Sequence, residues 1–204
     1  MKWEDLTAIL QGDSVFRTGR LMAGQASAAD VRRQVSRWIE SGRLIQLRRG
    51  VYSVAPRYAR SEQPHPFVVA NTLRTASYVS LHSALAHHGM IPEHVPVTTS
   101  ITTKRPEELE TGLGRFLFRH VSPKLFFGFA DRPLSGGQHA LIATPEKALF
   151  DLLYLTPRSD DRSYLRELRL EFVTSFSISR LEEVADRAGS VKVARAARML
   201  RKLQ

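Results

Sequence analysis

Residues 27–54 constrain the fold more than any other stretch. Ser27-Ala28-Ala29-Asp30 is a helix start. The serine oxygen is placed to accept the backbone N–H three residues on, and Asp30 answers it as in a capping box, although glutamate is the commoner partner. Winding the next residues at ~100° each puts Val31, Val35, Trp38 and Ile39 on one side. Ala29, Arg33, Ser36, Arg37 and Glu40 fall on the other, with Arg32 on a flank. The helix is expected to reach about Ser41, where Gly42 supplies the left-handed residue that ends it. Two β-prone runs follow, residues 44–47 and 51–54. The intervening Arg48-Arg49-Gly50 suits a tight hairpin.

Upstream, Trp3, Leu6, Ile9 and Leu10 share a face at helical spacing, and Gly12-Asp13-Ser14 breaks that helix. Phe16-Arg17-Thr18 then leads into a second short helix, with Thr18 as its expected N-cap and Gly24 as its stop. Helix, helix, capped helix and hairpin within about fifty-five residues is the pattern of a winged helix-turn-helix. Small residues at the start of the third helix permit close approach to a groove, and mid-helix arginines reach guanine edges or phosphates. A hairpin tip carrying Arg48 and Arg49 would meet the backbone or minor groove, with Tyr52 on the second wing strand. The candidate DNA-binding set is therefore Thr18, Ser27, Ala29, Arg32, Arg33, Ser36, Arg37, Arg48, Arg49 and Tyr52. A basic helix that is merely solvated is the competing account. The two-arginine hairpin directly after it argues for double-stranded DNA.

Charge supports a polyanionic partner. The 204 residues carry a formal net charge of +10. The excess sits at the ends: Lys and Arg outnumber acids by about two to one in the first sixty residues, and no acid follows Asp186. Lys192, Arg195, Arg198 and Lys202 form one stripe of a terminal helix expected over residues 190–203, with Val193, Ala196, Ala197 and Leu200 on its other side. That stripe is a candidate second nucleic-acid contact, weighed equally against a solvated basic face. Cysteine is absent, which excludes disulfides and thiolate metal sites and fits a reducing cytoplasm. The first residues lack the apolar core of a signal peptide, and no run is long enough to span a membrane.

The segment from Ala55-Pro56 to Pro66 is polar and proline-marked and reads as a linker, so the expected division is 1–57, 58–66 and 67–204. The later part mixes helices (67–73; 80–88, capped by Ser80 and ended by Gly89) with a strand region around residues 95–103, 116–118 and 125–127. A short strand at 140–143 enters a buried helix N-capped by Thr144 with Pro145 at its first position, and helices fill the rest. The expected fold class is α+β: a winged helix-turn-helix, then a mixed domain with a small sheet and several helices.

No catalytic, metal or cofactor site emerges. His82 and His87 are five apart, which turns their rings away from a shared zinc face. Glu146-Lys147 is explained by a capped helix start with an acid at the positive dipole end. Asp131 and Asp151 alone are too few carboxylates for a magnesium-dependent nuclease. Gly136-Gly137 lacks the lysine of a phosphate loop and is a turn.

Three motifs in order then carry a resemblance: Gly42-Arg-Leu-Ile-Gln-Leu-Arg-Arg-Gly-Val-Tyr-Ser, Tyr78-Val-Ser-Leu-His-Ser-Ala-Leu-Ala-His-His-Gly and Ala143-Thr-Pro-Glu-Lys-Ala-Leu-Phe-Asp. Over about residues 1–155 the chain resembles the AbiEi-type antitoxins of bacterial type IV toxin–antitoxin systems, an abortive-infection family. The resemblance implies a repressor of its own operon that binds inverted repeats. It also implies a C-terminal domain that counters a nucleotidyltransferase-like toxin without a stable complex. It transfers no catalytic residue. The alternatives are a module that sequesters a partner protein directly, or a plain transcriptional regulator with no antitoxin role.

Overall fold

The computed structural model describes residues 1–22, 27–59 and 63–202, and the chain is of mixed α+β class. The expected helix stop at Gly24, residues 60–62 of the linker and the final helical residue Leu203 lie outside the described residues.

The N-terminal unit runs α1 (Trp3–Leu10), β1 (Val15–Arg17), α2 (Thr18–Leu21), α3 (Ala28–Glu40), β2 (Leu44–Arg48) and β3 (Val51–Val54). Its sheet has the order β1-β3-β2. Leu6, Leu10, Phe16, Leu21, Val31, Val35, Trp38, Leu44 and Val54 form one core among the helices and one face of that sheet. Trp3 packs edge-on against Trp38 at 5.3 Å, and Arg43 lies over the Trp3 ring. Gly42 ends α3 with φ +67°.

Two expectations are corrected here. Residues 15–17 form a third strand, not a lead-in to a helix, because Val15 and Phe16 each have a face to bury and pair antiparallel with Ser53 and Tyr52. The cap of α2 is accordingly Arg17, and Thr18 is already helical.

The second unit contains α4 (Pro66–Leu73), β4 (Ser77–Val79), α5 (Leu81–His87), β5 (Val97–Thr102), β6 (Glu107–Thr111) and β7 (Gly114–His120). There follow β8 (Phe129–Pro133), β9 (His139–Ala143), α6 (Pro145–Leu155), α7 (Arg162–Glu167), α8 (Ile178–Arg187) and α9 (Val191–Arg201). The sheet is six-stranded, ordered β6-β7-β5-β4-β9-β8, so it is larger than the small sheet expected. β5/β7 and β4/β9 are parallel and the other pairs antiparallel. Because side chains alternate along a strand, Tyr78, Thr99 and Ile101 face α5 and α6. Phe118 points to the other side, beneath Arg74 at the end of α4. Residues 125–127 are not a strand: a 3-10 turn over Pro123–Leu125 is followed by a loop whose Phe126 packs on Tyr78. Ser80 does not cap α5 with its side chain; its hydroxyl is drawn instead to Asp151.

The proline-marked segment does not separate two independent bodies. Tyr58 and Ala59 pack on the N-terminal core, and the His65 ring accepts the N–H of Phe67 at the start of α4. The back face of the N-terminal sheet carries Val15, Leu47 and Val51, which join the core of the second unit. The Arg17 guanidinium donates to the Thr72 carbonyl, 3.0 Å away, at the end of α4.

Candidate nucleic-acid interface

The outward face of α3 is the best-formed element of the site. The Ser27 hydroxyl accepts the Asp30 N–H at 3.2 Å and donates to the Asp30 carboxylate at 2.7 Å, fixing where the helix begins. Val31, Val35 and Trp38 are buried, and Ile39 is partly so. That anchoring turns Ala29, Arg32, Arg33, Ser36 and Arg37 to solvent together, with Glu40 beside them. Arg33 pairs with Asp30 at 3.3 Å, but both side chains are largely exposed, and such surface pairs contribute little. Its guanidinium thus stays available. Among the described residues no carboxylate lies within ion-pairing distance of Arg32, Arg37 or Arg49.

Three other candidate residues are turned inward. Thr18 donates both its N–H (3.0 Å) and its hydroxyl (3.2 Å) to the Gly50 carbonyl, tying the start of α2 to the hairpin turn. Tyr52 lies on the helix-facing side of its sheet, its ring 6.0 Å from that of Phe16. Arg48 reaches into the second unit, where its guanidinium is 3.1 Å from the Glu107 carboxylate. Arg74 pairs with the same carboxylate. Of the hairpin's two arginines, only Arg49 is exposed. Local spacing was blind to this because Glu107 comes from a strand about sixty residues downstream.

The terminal helix is likewise answered by distant residues. Lys192 donates to the carbonyls of Tyr154 (2.9 Å) and Thr156 (2.8 Å), closing the C-terminal end of α6. Arg195 pairs with Asp160 at 2.5 Å, and Arg201 pairs with Glu182. Arg198 and Lys202 remain exposed. The stripe contains no acid of its own, but the fold supplies one.

Sequence reasoning missed a buried polar cluster behind the sheet. Lys147 and Asp151, one turn apart on α6, are fully buried and ion-paired. Lys147 donates to the Tyr78 hydroxyl at 2.8 Å, and Asp151 accepts from Tyr78 at 3.0 Å and Ser80 at 2.8 Å. The rings of Tyr78, Phe127 and Phe150 surround the ammonium at 5.1–5.3 Å. Burial pushes the Asp151 carboxyl up and the Lys147 ammonium down, and their contact opposes both shifts. A charged pair at four-residue spacing inside an otherwise apolar helix was the available signal. Two of the three motifs meet in this cluster, whose Lys147 and Asp151 side chains are closed to solvent. Glu146, also buried, accepts the N–H of Ser177 at 3.0 Å and so pins the approach to α8.

Among the described residues no group of three or more His, Asp or Glu converges as a metal-ligand set, and no helix is long and apolar enough to cross a membrane. No protein-family profile and no curated protein matches the chain. The crystal structure of the RV2827C protein from Mycobacterium tuberculosis is similar, with a TM-score of 0.50 at 18% identity, over 98% of this chain and 80% of that one. At that identity the similarity is one of fold: this α+β arrangement, nearly end to end, is shared with a known structure.

Proposed function

We propose that residues 1–57 form a winged helix-turn-helix which binds double-stranded DNA with α3 in the major groove. In this reading the chain represses its own operon as the antitoxin of a type IV toxin–antitoxin system, acting in the cytoplasm against a nucleotidyltransferase-like toxin without forming a stable complex with it. The observation that carries the DNA-binding part is the joint exposure of Arg32, Arg33 and Arg37 with the small residues Ala29 and Ser36, on a helix whose other side is anchored in a core. A helix entering a groove needs that combination: side chains short enough to approach at its start and long donors further on. Arg49 at the adjoining hairpin tip adds a phosphate contact. The antitoxin part rests on the three-motif resemblance.

The test is fluorescence anisotropy with a duplex from the region upstream of the gene. Arg33→Ala or Arg37→Ala is expected to weaken binding by about 1–3 kcal/mol and to relax preference at one base position. Binding that is the same for these variants as for the parent, across several operator variants, sinks the reading. Coexpression with the adjacent gene then separates an antitoxin, which restores growth, from a plain regulator, which does not.

A further inference from the structure

The ion pairs of Arg48 do more than remove one arginine from the hairpin tip. They hold the tip against the edge of the six-stranded sheet. Glu107, the first residue of β6, lies between the Arg48 and Arg74 guanidiniums. Arg74 also donates to the carbonyl of Arg105, at 3.5 Å. The turn joining β5 to β6 is therefore fixed beside the hairpin. It contains Lys104 and Arg105, both exposed, and the Lys104 carbonyl meets the His120 ring at 3.0 Å, which holds the turn from its far side.

The charge balance at this junction is decisive. One carboxylate, Glu107, is shared by two guanidiniums and is spent on them. Glu108 and Glu110 alternate to the opposite face of β6, where Glu108 pairs with Arg115 at 2.9 Å. Among the described residues, Lys104, Arg105 and Arg49 have no carboxylate within ion-pairing distance. Three unpaired cations thus sit at the place where the hairpin of the N-terminal unit abuts the second unit.

We propose that the Lys104-Arg105 turn is a phosphate-contacting element that engages the same DNA duplex as α3 and the Arg49 tip. This inference rests on the DNA-binding reading above and extends it into the second unit. The shared core and the Arg48–Glu107–Arg74 cluster make the extension rigid, so the turn is presented to the backbone without a loop having to be ordered on binding. Its contribution is independent of base sequence, because phosphate contacts position the protein while base contacts specify.

The test is the salt dependence of binding to two labelled duplexes, one from the upstream region and one of random sequence. Each phosphate contact contributes about 0.9 to the slope of log K against log salt concentration for duplex DNA. The Lys104→Gln/Arg105→Gln double variant is expected to lower that slope by about 1.8 on both duplexes, leaving the ratio of their affinities unchanged. Lys104→Arg is expected to keep the parental slope. An unchanged slope in the double variant, alongside binding lost in Arg33→Gln/Arg37→Gln, overturns this inference and leaves the α3 reading standing. A reduced slope with no effect of the α3 variants overturns the α3 reading and, with it, the claim that the turn shares a duplex with α3, leaving only a phosphate contact by the turn. Failure of the parent to bind either duplex at low salt overturns both.

Discussion

Replacing Lys147 by methionine keeps the length of the side chain and the apolar contacts of its stem but deletes the ammonium. The Asp151 carboxylate is then left with the two hydroxyl donors, Tyr78 and Ser80, in a site from which solvent is excluded. Removing one partner of a buried pair costs about 3–5 kcal/mol, because the remaining charge is uncompensated. Total stabilities of domains are about 5–15 kcal/mol, so this single change would consume a large share. The cost should depend on pH, and its sign follows from the geometry. Burial already raises the Asp151 carboxyl above its ordinary 3.8, and Lys147 is what holds it down. Without the ammonium the folded state favours the protonated acid still more. The variant's deficit therefore grows as pH rises through that raised value, and it is smaller near about pH 5 than near about pH 8. Urea unfolding of parent, Lys147→Met and Lys147→Met/Asp151→Asn at both pH values measures this. The double variant, which buries no charge and keeps an acceptor for both hydroxyls, should recover at least half of the loss. A single-variant cost under about 1 kcal/mol, or a double variant no more stable than the single one, refutes the account of the cluster as a buried, mutually compensated pair.

Gly128 has φ +75°, and a Cβ there would lie 2.9 Å from Cγ of Lys147. Gly128→Ala should cost about 2–4 kcal/mol in the same unfolding assay, about 1–2 from the left-handed backbone and the rest from overpacking; a cost within about 0.5 kcal/mol of zero would contradict it. Burial holds the half-buried imidazoles of His65 and His88 below their ordinary 6.5. On acidification the unfolded chain takes up these protons first, so the stability they contribute above pH 6.5 is lost as pH falls below it. His88→Gln keeps a donor for the Ala143 carbonyl, now met by the ring at 2.8 Å, and should flatten that decline. A variant with the parental pH dependence would show that His88 plays no part in it.

Where a structural signal lies within one turn or one strand of itself, it was legible. The Ser27–Asp30 start, the buried side of α3 and the Thr144-Pro145 entry into α6 are all local, because a cap and an amphipathic stripe depend on residues three or four apart. Strand β1 was missed because three residues offer too short a run for alternation to register, and its pairing partner, β3, lies some thirty-five residues on. Strands β4, β6 and β8 escaped notice for related reasons. β4 is also only three residues long, while β6 and β8 are polar edge strands whose place is set by their neighbours.

The candidate interface divides along the same line. The outward set Ala29, Arg32, Arg33, Ser36 and Arg37 follows from helical periodicity alone, since nothing outside α3 is needed to say which side of it is apolar. Whether a given cation is free is a different question, decided by carboxylates and carbonyls that other elements bring to it. Arg48 finds Glu107, Lys192 finds the end of α6, and Arg195 finds Asp160. Lys104 and Arg105, unremarkable in the sequence, come to lie beside the hairpin tip, and among the described residues no acid pairs with them. The sequence by itself determined a basic, capped helix and a hairpin; only the tertiary structure decided which charges were used up inside the chain. Electrostatic pairing acts over a few ångströms in space and is indifferent to separation along the chain.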